Sequence, residues 1–224
     1  MSPLHAVIAV KDLTRAKSRL ATDFAPPDRR RLVLAMLCDT LTAAGQVDEI
    51  ASVTVVTPDD AVMHAAAAAG AAVLAEPVAD SSDFDADQRL NAAFRLAAAT
   101  VRAERGPVDL LALQADLPAL SATELGAAAR AARRFTRSFV VDHRRTGTAA
   151  LLVRDRNTAL TPTFGADSAR RHAATGAALL EGDWPGLRLD VDTLDDLELA
   201  AAIGLGNATR AALAEIGWPN RCPG

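Results

Sequence analysis

The chain has 224 residues, half of them hydrophobic and 23% charged, with 24 basic against 28 acidic side chains for a net charge of −4. That length and balance fit one globular domain, 1–224, able to bury a full core. Tyrosine is absent and no basic stripe carries interleaved aromatics, so nothing suggests a nucleic-acid partner.

The two cysteines, Cys38 and Cys222, are too few and too distant for a zinc site or a disulfide framework, and Cys38 is expected in the core. No apolar run approaches the ~18–20 residues of a membrane span, and the first residues lack a secretory pattern. The expected location is therefore a reducing cytoplasm, with no membrane partner.

Leu4 to Val10 is a short β-branched run that predicts a first, buried strand. It runs into a loop dense in cations, Lys11 to Leu20, which offers charge and donors to a polyphosphate or is simply an exposed loop. It is not a Walker loop, because no G-x-x-x-x-G-K occurs. After Ala25-Pro26-Pro27, the segment from Arg29 to Ala44 carries Leu32, Met36, Leu37 and Leu41 at helical spacing and stops at Gly45. Val53–Thr57 reads as a second strand, followed by an Ala-rich helix ending at Gly70, and Ala72–Ala75 as a third strand. The order β-α-β-α-β predicts parallel strands with right-handed crossovers.

Residues 76–87 are acidic and aperiodic, a surface loop able to close over a ligand, and a helix follows from Gln88 to about Arg105. Val108 to Pro118 is a Leu-rich apolar run expected to form a central strand ending at Asp116. Open α/β sheets place ligands at that end of such strands; the alternative is that Asp116 caps the next helix. Ser121 and Glu124 match a capping box. Ser138–Asp142 and Thr148–Val153 read as strands joined by a short polar connection, so the sheet is expected to be mixed there.

Thr161 to Ser168 has the grammar of a turn feeding a helix start, with Ser168 and His172 four residues apart on one face. It is either an anion seat or ordinary capping with a solvent-facing His172. Leu187–Thr193 is expected to be a final strand whose Asp190 and Asp192 point to one side of the pleat; the alternative for Asp192 is that it only caps the helix starting at Leu194. Another helix closes the chain.

Carboxylates from distant strand ends suit Mg²⁺, and the cationic loop would take up remaining phosphate charge, the equipment of phosphoryl or nucleotidyl transfer. No Ser-His-Asp set, metal-binding Cys/His cluster or dinucleotide G-x-G-x-x-G competes with it.

Ala16-Lys17-Ser18-Arg19-Leu20, Leu90-Asn91-Ala92, Ala115-Asp116-Leu117-Pro118, Phe164-Gly165 with Ser168 and His172, and Asp190-Val191-Asp192-Thr193 occur in this order. Over about residues 4 to 205 the set resembles the phosphoenolpyruvate or 2-phospho-L-lactate guanylyltransferases of coenzyme F-420 biosynthesis. The resemblance implies a nucleotidyltransferase-like, Rossmann-like α/β domain with a mostly parallel, mixed sheet flanked by helices. It implies transfer of GMP from GTP to the phosphate of a three-carbon acid, with release of pyrophosphate and handover of the product to a downstream transferase.

By that resemblance Asp116 and Asp190 hold Mg²⁺, with Asp192 as the alternative second ligand. Thr148, Gly165 and Ser168 grip the acceptor. Lys17 and Arg19 meet the GTP phosphates and join Asp116 in catalysis, and Asn91 contacts the nucleotide. Read from its spacing alone, Thr148 is only the first residue of a strand. The rival readings are a nucleotidyltransferase for a molybdopterin, polyol or sugar phosphate, and a non-catalytic, receiver-like nucleotide-binding module.

Overall fold

A computed structural model describes residues 3–13, 17–76 and 85–218. Arg15, most of the acidic loop expected at 76–87, and Cys222 lie outside those residues. Among the described residues a seven-stranded sheet has the order β3-β2-β1-β4-β6-β5-β7, made by β1 (Leu4–Ala9), β2 (Ile50–Thr57), β3 (Ala72–Ala75), β4 (Asp109–Leu113), β5 (Arg137–Val141), β6 (Thr148–Val153) and β7 (Ala178–Leu179). β1 pairs in parallel with β2 and β4, and β2 with β3, whereas β6 runs antiparallel to both β4 and β5. The mixed sheet expected from the short 142–147 connection is present.

Strand alternation divides the core between two faces. β1 sends Ala6 and Ile8 to one face and Val7 and Ala9 to the other, and β4 does the same with Leu111 and Leu113 against Leu110 and Ala112. The first face is covered by α1 (Pro26–Gly45), α4 (Ala122–Ala131), α7 (Leu194–Ile203) and α8 (Asn207–Ile216). The second lies under α3 (Ala86–Arg105), whose Phe94 and Ala97 reach Phe164 and the strands. Short helices α2 (Asp60–Ala68), α5 (Ser168–Ala174) and α6 (Pro185–Arg188) complete the set.

The helix starts follow local chemistry. Pro26 sits in the first turn of α1, where its missing N–H is no loss. Ser121 and Glu124 form the capping box of α4, so Asp116 is not its cap, and Asp85 with Gln88 does the same for α3. Asp39 of α1 accepts from the N–H groups of Ala208 and Thr209 (3.0 and 2.8 Å), fastening the start of α8 to α1.

Three expectations need correction. The central strand ends at Leu113, and Asp116 lies in the turn beyond it. Cys38 is only partly buried, at the margin of the packed face of α1. The strand expected at Leu187–Thr193 does not form. Pro185 opens the helical turn α6, the Val191 N–H goes to the carbonyl of Asp116 (3.1 Å), and the N–H groups of Asp192 and Thr193 go to the Asp196 carboxylate (3.1 and 2.9 Å). With those donors engaged, no ladder can be built.

Strand order reverses between β1 and β4: the chain goes outward from β1 through β2 to β3, then returns to the other side of β1. Loops leaving two neighbouring parallel strands in opposite directions open a crevice at their carboxyl ends. Lys17 follows β1 and Asp116 follows β4, so the crevice forms between them.

Candidate active site

Asp116 is held by its turn rather than by a strand. The Thr40 hydroxyl of α1 accepts from the Leu117 N–H (3.1 Å) and donates toward the Met36 and Ala115 carbonyls (3.0 and 3.2 Å). With the Val191 N–H on the Asp116 carbonyl, the 115–117 turn is braced from two sides.

Opposite it, Asp190 and Asp192 occupy the segment entering α7. Thr193 caps that helix with Asp196 in a capping box, and the buried Asp196 carboxylate accepts from the N–H groups of Asp192 and Thr193 and from the Thr193 hydroxyl (2.8 Å). The same carboxylate accepts from Arg144 Nη2 (2.9 Å) and lies 3.1 Å from His143 Nε2. Burial opposes ionisation of Asp196, but the hydrogen bonds from Thr193, Arg144 and the backbone outweigh it and hold its pKa below the ordinary value.

The Lys17 ammonium sits among these carboxylates, bonded to Asp116 and to Asp192 (2.6 Å). Lys17 adopts a left-handed backbone, φ 53°, as the chain turns inward. Burial works to lower its pKa, yet the charges and hydrogen bonds of Asp116 and Asp192 prevail and raise it, so it remains a cation. Asp190 is pushed the other way: burial first, then the neighbouring charge of Asp116, lift its pKa well above the carboxylate range.

One carboxylate oxygen of Asp116 and one of Asp190 are buried without a hydrogen-bond partner. Orphaned hard oxygens beside crowded negative charge are the donor chemistry of a divalent cation such as Mg²⁺. Among the described residues no three acidic, histidine or cysteine side chains converge on one cation position. Mg²⁺ needs only one or two carboxylates when phosphate oxygens and water complete its shell, so the residues fit that ion.

Two clefts meet at this acidic wall. One, of about 250 Å³, is lined by Ala9, Val10, Lys11, Lys17 and Asp116. The other, of about 470 Å³, is lined by Arg19, Arg144, Thr148, Gly165 and Ser168 and lies within the ~300–1,000 Å³ usual for small-molecule sites. Leu90, Gln114, Asp190 and Asp192 face both.

The structure therefore brings Thr148, Gly165 and Ser168 together, as the resemblance implied. Gly165 has φ +113°, a backbone conformation that favours glycine, and the Asp87 carboxylate packs against the space a Cβ would occupy. Arg19 opens onto the larger cleft, whereas Lys17 faces the smaller. Asn91, expected at the nucleotide, is buried. Its Nδ2 donates to the carbonyls of Asp87 (2.8 Å) and Phe164 (3.0 Å), and its Oδ1 accepts from the Phe164 N–H (2.8 Å). It fixes the backbone beside Gly165 rather than presenting its amide to a ligand.

His172, left open between an anion seat and solvent, is buried against Phe164 and Phe139. Thr40, Asp196, Arg144 and Gln114 belong to the site with no sequence motif pointing to them, and Lys11 joins them from the cationic loop. Thr193-x-x-Asp196 is the one such feature with a readable local signal, a capping box.

The family model described as "Guanylyl transferase CofC like" matches residues 4–219. A phosphoenolpyruvate guanylyltransferase of Nocardia farcinica is 58% identical over 218 residues, covering 97% of this chain and 94% of the relative. One of Rhodococcus jostii is 50% identical over 225 residues, covering 97% of each.

Among solved structures, a nucleotidyl transferase from Methanothermobacter aligns with a TM-score of 0.56 at 16% identity, over 90% of this chain and 97% of that one. A 4-diphosphocytidyl-2C-methyl-D-erythritol synthase from Anaerococcus prevotii aligns with a TM-score of 0.52 at 11% identity, over 90% and 95%. At those identities the likeness is one of fold, and it is the nucleotidyltransferase fold that the sheet order describes. The match along nearly the whole sequence decides the family: this chain belongs to the CofC-like guanylyl transferases.

Proposed function

We propose that the protein transfers GMP from GTP to the phosphate of phosphoenolpyruvate, releasing pyrophosphate, as a step of coenzyme F-420 biosynthesis. The observation that carries the reading is the pair of clefts sharing one acidic wall. A nucleotide in the smaller cleft and an acid phosphate in the larger would meet at Asp116, Asp190 and Asp192. The names of the close relatives support phosphoenolpyruvate as the acceptor.

In this reading a phosphate oxygen of phosphoenolpyruvate attacks the α-phosphorus of GTP in line. The new P–O bond forms as the bond from the α-phosphorus to the α–β bridging oxygen breaks, and pyrophosphate leaves with that electron pair. The attacking phosphate is already anionic at neutral pH, so no general base is needed. Lys17 and Lys11 meet the nucleotide phosphates from the β1 side. Arg144 stands half-exposed in the larger cleft, pinned by Asp196, with further N–H donors for the anionic acceptor. Thr148, Gly165 and Ser168 hold the same acceptor, and Asn91 fixes the Phe164–Gly165 backbone. Mg²⁺ held by Asp116 and Asp190 or Asp192 would supply positive charge to the phosphates as charge develops.

The test is pyrophosphate release by purified protein with Mg²⁺, with GTP, ATP, CTP and UTP each paired with phosphoenolpyruvate, 2-phospho-L-lactate and 3-phosphoglycerate, and with mass spectrometry of the product. The expected result is turnover with GTP and phosphoenolpyruvate. Arg144→Met should raise the acceptor KM roughly tenfold or more, the loss of a charge-assisted contact, while sparing the GTP KM. Turnover confined to another nucleotide or to larger phosphates would replace the assignment.

A further inference from the structure

Thr148 lines the larger cleft, and its hydroxyl has one proton. Against an anionic acceptor the direction of that proton decides between attraction and repulsion. Thr148 Oγ1 lies 2.9 Å from His172 Nδ1. If Nδ1 were bare, the hydroxyl would donate to it and turn a lone pair toward the acceptor.

The other side of the ring settles the matter. The Thr163 backbone N–H donates to His172 Nε2 (3.0 Å), and a backbone amide can only donate, so Nε2 carries a lone pair. The proton of the neutral ring is then on Nδ1, directed at Thr148 Oγ1, with the Ser168 carbonyl also favouring it. Thr148 accepts there, and among the described residues no protein group takes its own proton, which is free to point into the cleft.

The arrangement is rigid. The imidazole has no exposed surface and lies edge-on to Phe164 (centroids 5.3 Å, 75°) and tilted against Phe139 (5.9 Å). Phe164 is stacked on Phe94 at 4.7 Å, and its backbone is clamped by Asn91. Burial, then the positive charges of Arg137 and Arg171, lower the pKa of His172 to about 4 despite the Ser168 carbonyl, so the ring is neutral at working pH.

From this geometry we infer that His172 is a positioning residue: its fixed tautomer makes the Thr148 hydroxyl an obligatory donor to the acceptor phosphate or carboxylate. The inference rests on the proposed placement of phosphoenolpyruvate against Thr148. It adds a residue that touches no substrate yet determines the sign of one contact.

The experiment compares His172→Phe, His172→Gln, Thr148→Val and the His172→Phe/Thr148→Val double variant. Steady-state kinetics are measured with GTP and phosphoenolpyruvate, after thermal melts confirm folding. Phe keeps the aromatic packing and removes both hydrogen bonds; Gln can accept from Thr163 and donate to Thr148.

The expected result is a roughly tenfold rise in acceptor KM for His172→Phe and for Thr148→Val, as for a lost hydrogen bond to a charged group, with the GTP KM within about twofold. The double variant should be no worse in acceptor KM than Thr148→Val, and Gln should recover a large part of the loss. Multiplying effects in the double variant, an equal rise in both KM values, or a Gln variant no better than Phe would overturn the inference while leaving the acceptor site in place. An unchanged acceptor KM in Thr148→Val would remove Thr148 from the site and the inference with it. Absence of turnover in the unaltered protein would instead fail the functional reading itself.

Discussion

Lys17 stands among carboxylates that would otherwise repel one another. Its ammonium is bonded to Asp116 and Asp192, while Asp190 alongside is driven toward its neutral form by burial and by the Asp116 charge. Removing the cation leaves like charges crowded in a half-buried space. Lys17→Met should therefore destabilise the protein in metal-free buffer by on the order of 2 kcal/mol, a figure held down because the Asp192 side chain is 44% exposed and screened by water. Added Mg²⁺ should restore the thermal midpoint of this variant more than it raises that of the unaltered chain. A melt insensitive to Mg²⁺ in both proteins would speak against these carboxylates as a cation site.

His172 gives the residue scale a second readout, in pH. Its pKa is lowered from an ordinary 6.5 to about 4 in the folded state, so between those values the unfolded chain binds the extra proton. Stability is then intact above pH 6.5 and falls as acid is added. The loss reaches up to about 3 kcal/mol by pH 4, following 1.36 kcal/mol per unit of pKa difference. Denaturant melts between pH 7 and 4 should show this loss reduced in His172→Phe. The same slope in both proteins would mean that other groups carry it.

At the scale of elements, the acidic wall is set by contacts that join distant parts of the chain. Thr40 of α1 braces the turn carrying Asp116 through a hydrogen bond spanning 77 residues of sequence. Thr40→Val keeps the shape but leaves the Leu117 N–H unpaired in a buried place. It should cost about 1–3 kcal/mol of stability by chemical denaturation. It should also lower kcat, because an Asp116 carboxylate that drifts is no longer aligned with the neighbouring side chains of the acidic wall. Unchanged kcat with reduced stability would make Thr40 a purely structural residue.

Such contacts explain what the sequence made readable and what it hid. Asp116 could be found because a Leu-rich buried run and a following proline mark the end of a strand region, even though the ladder itself stops at Leu113. The alternation through Leu187, Leu189 and Val191 is also real: all three are buried, with Asp190 and Asp192 turned to the clefts. It resembles a strand in every local respect. The hydrogen bonds to Asp116 and Asp196 that deny it a ladder come from elsewhere in the chain. Thr40, Arg144 and the His172 relay depend wholly on partners that only the fold supplies, so no local pattern announces them. Capping boxes close within four residues, so Ser121 with Glu124 is legible in the sequence, and Thr193 with Asp196 carries the same local signal.

At the scale of the whole molecule, the reversal of strand order between β1 and β4 creates one crevice, and the 188–196 segment brings Asp190 and Asp192 to both of its clefts. The hairpin of β5 and β6 supplies the far wall through Thr148, and α5 closes it through Ser168. Each cleft borrows Asp190 and Asp192 from the same segment, so both substrates are expected to be present together, with the guanylyl group passing directly between them.

That direct passage is best tested by a single turnover with α-labelled GTP and protein in excess, with and without phosphoenolpyruvate. The account predicts label in guanylylated phosphoenolpyruvate, with stoichiometric pyrophosphate, only when both substrates are present, and neither product from a folded Asp116→Asn variant. Label attached to the protein, label released as GMP, or pyrophosphate formed without the acceptor would contradict it.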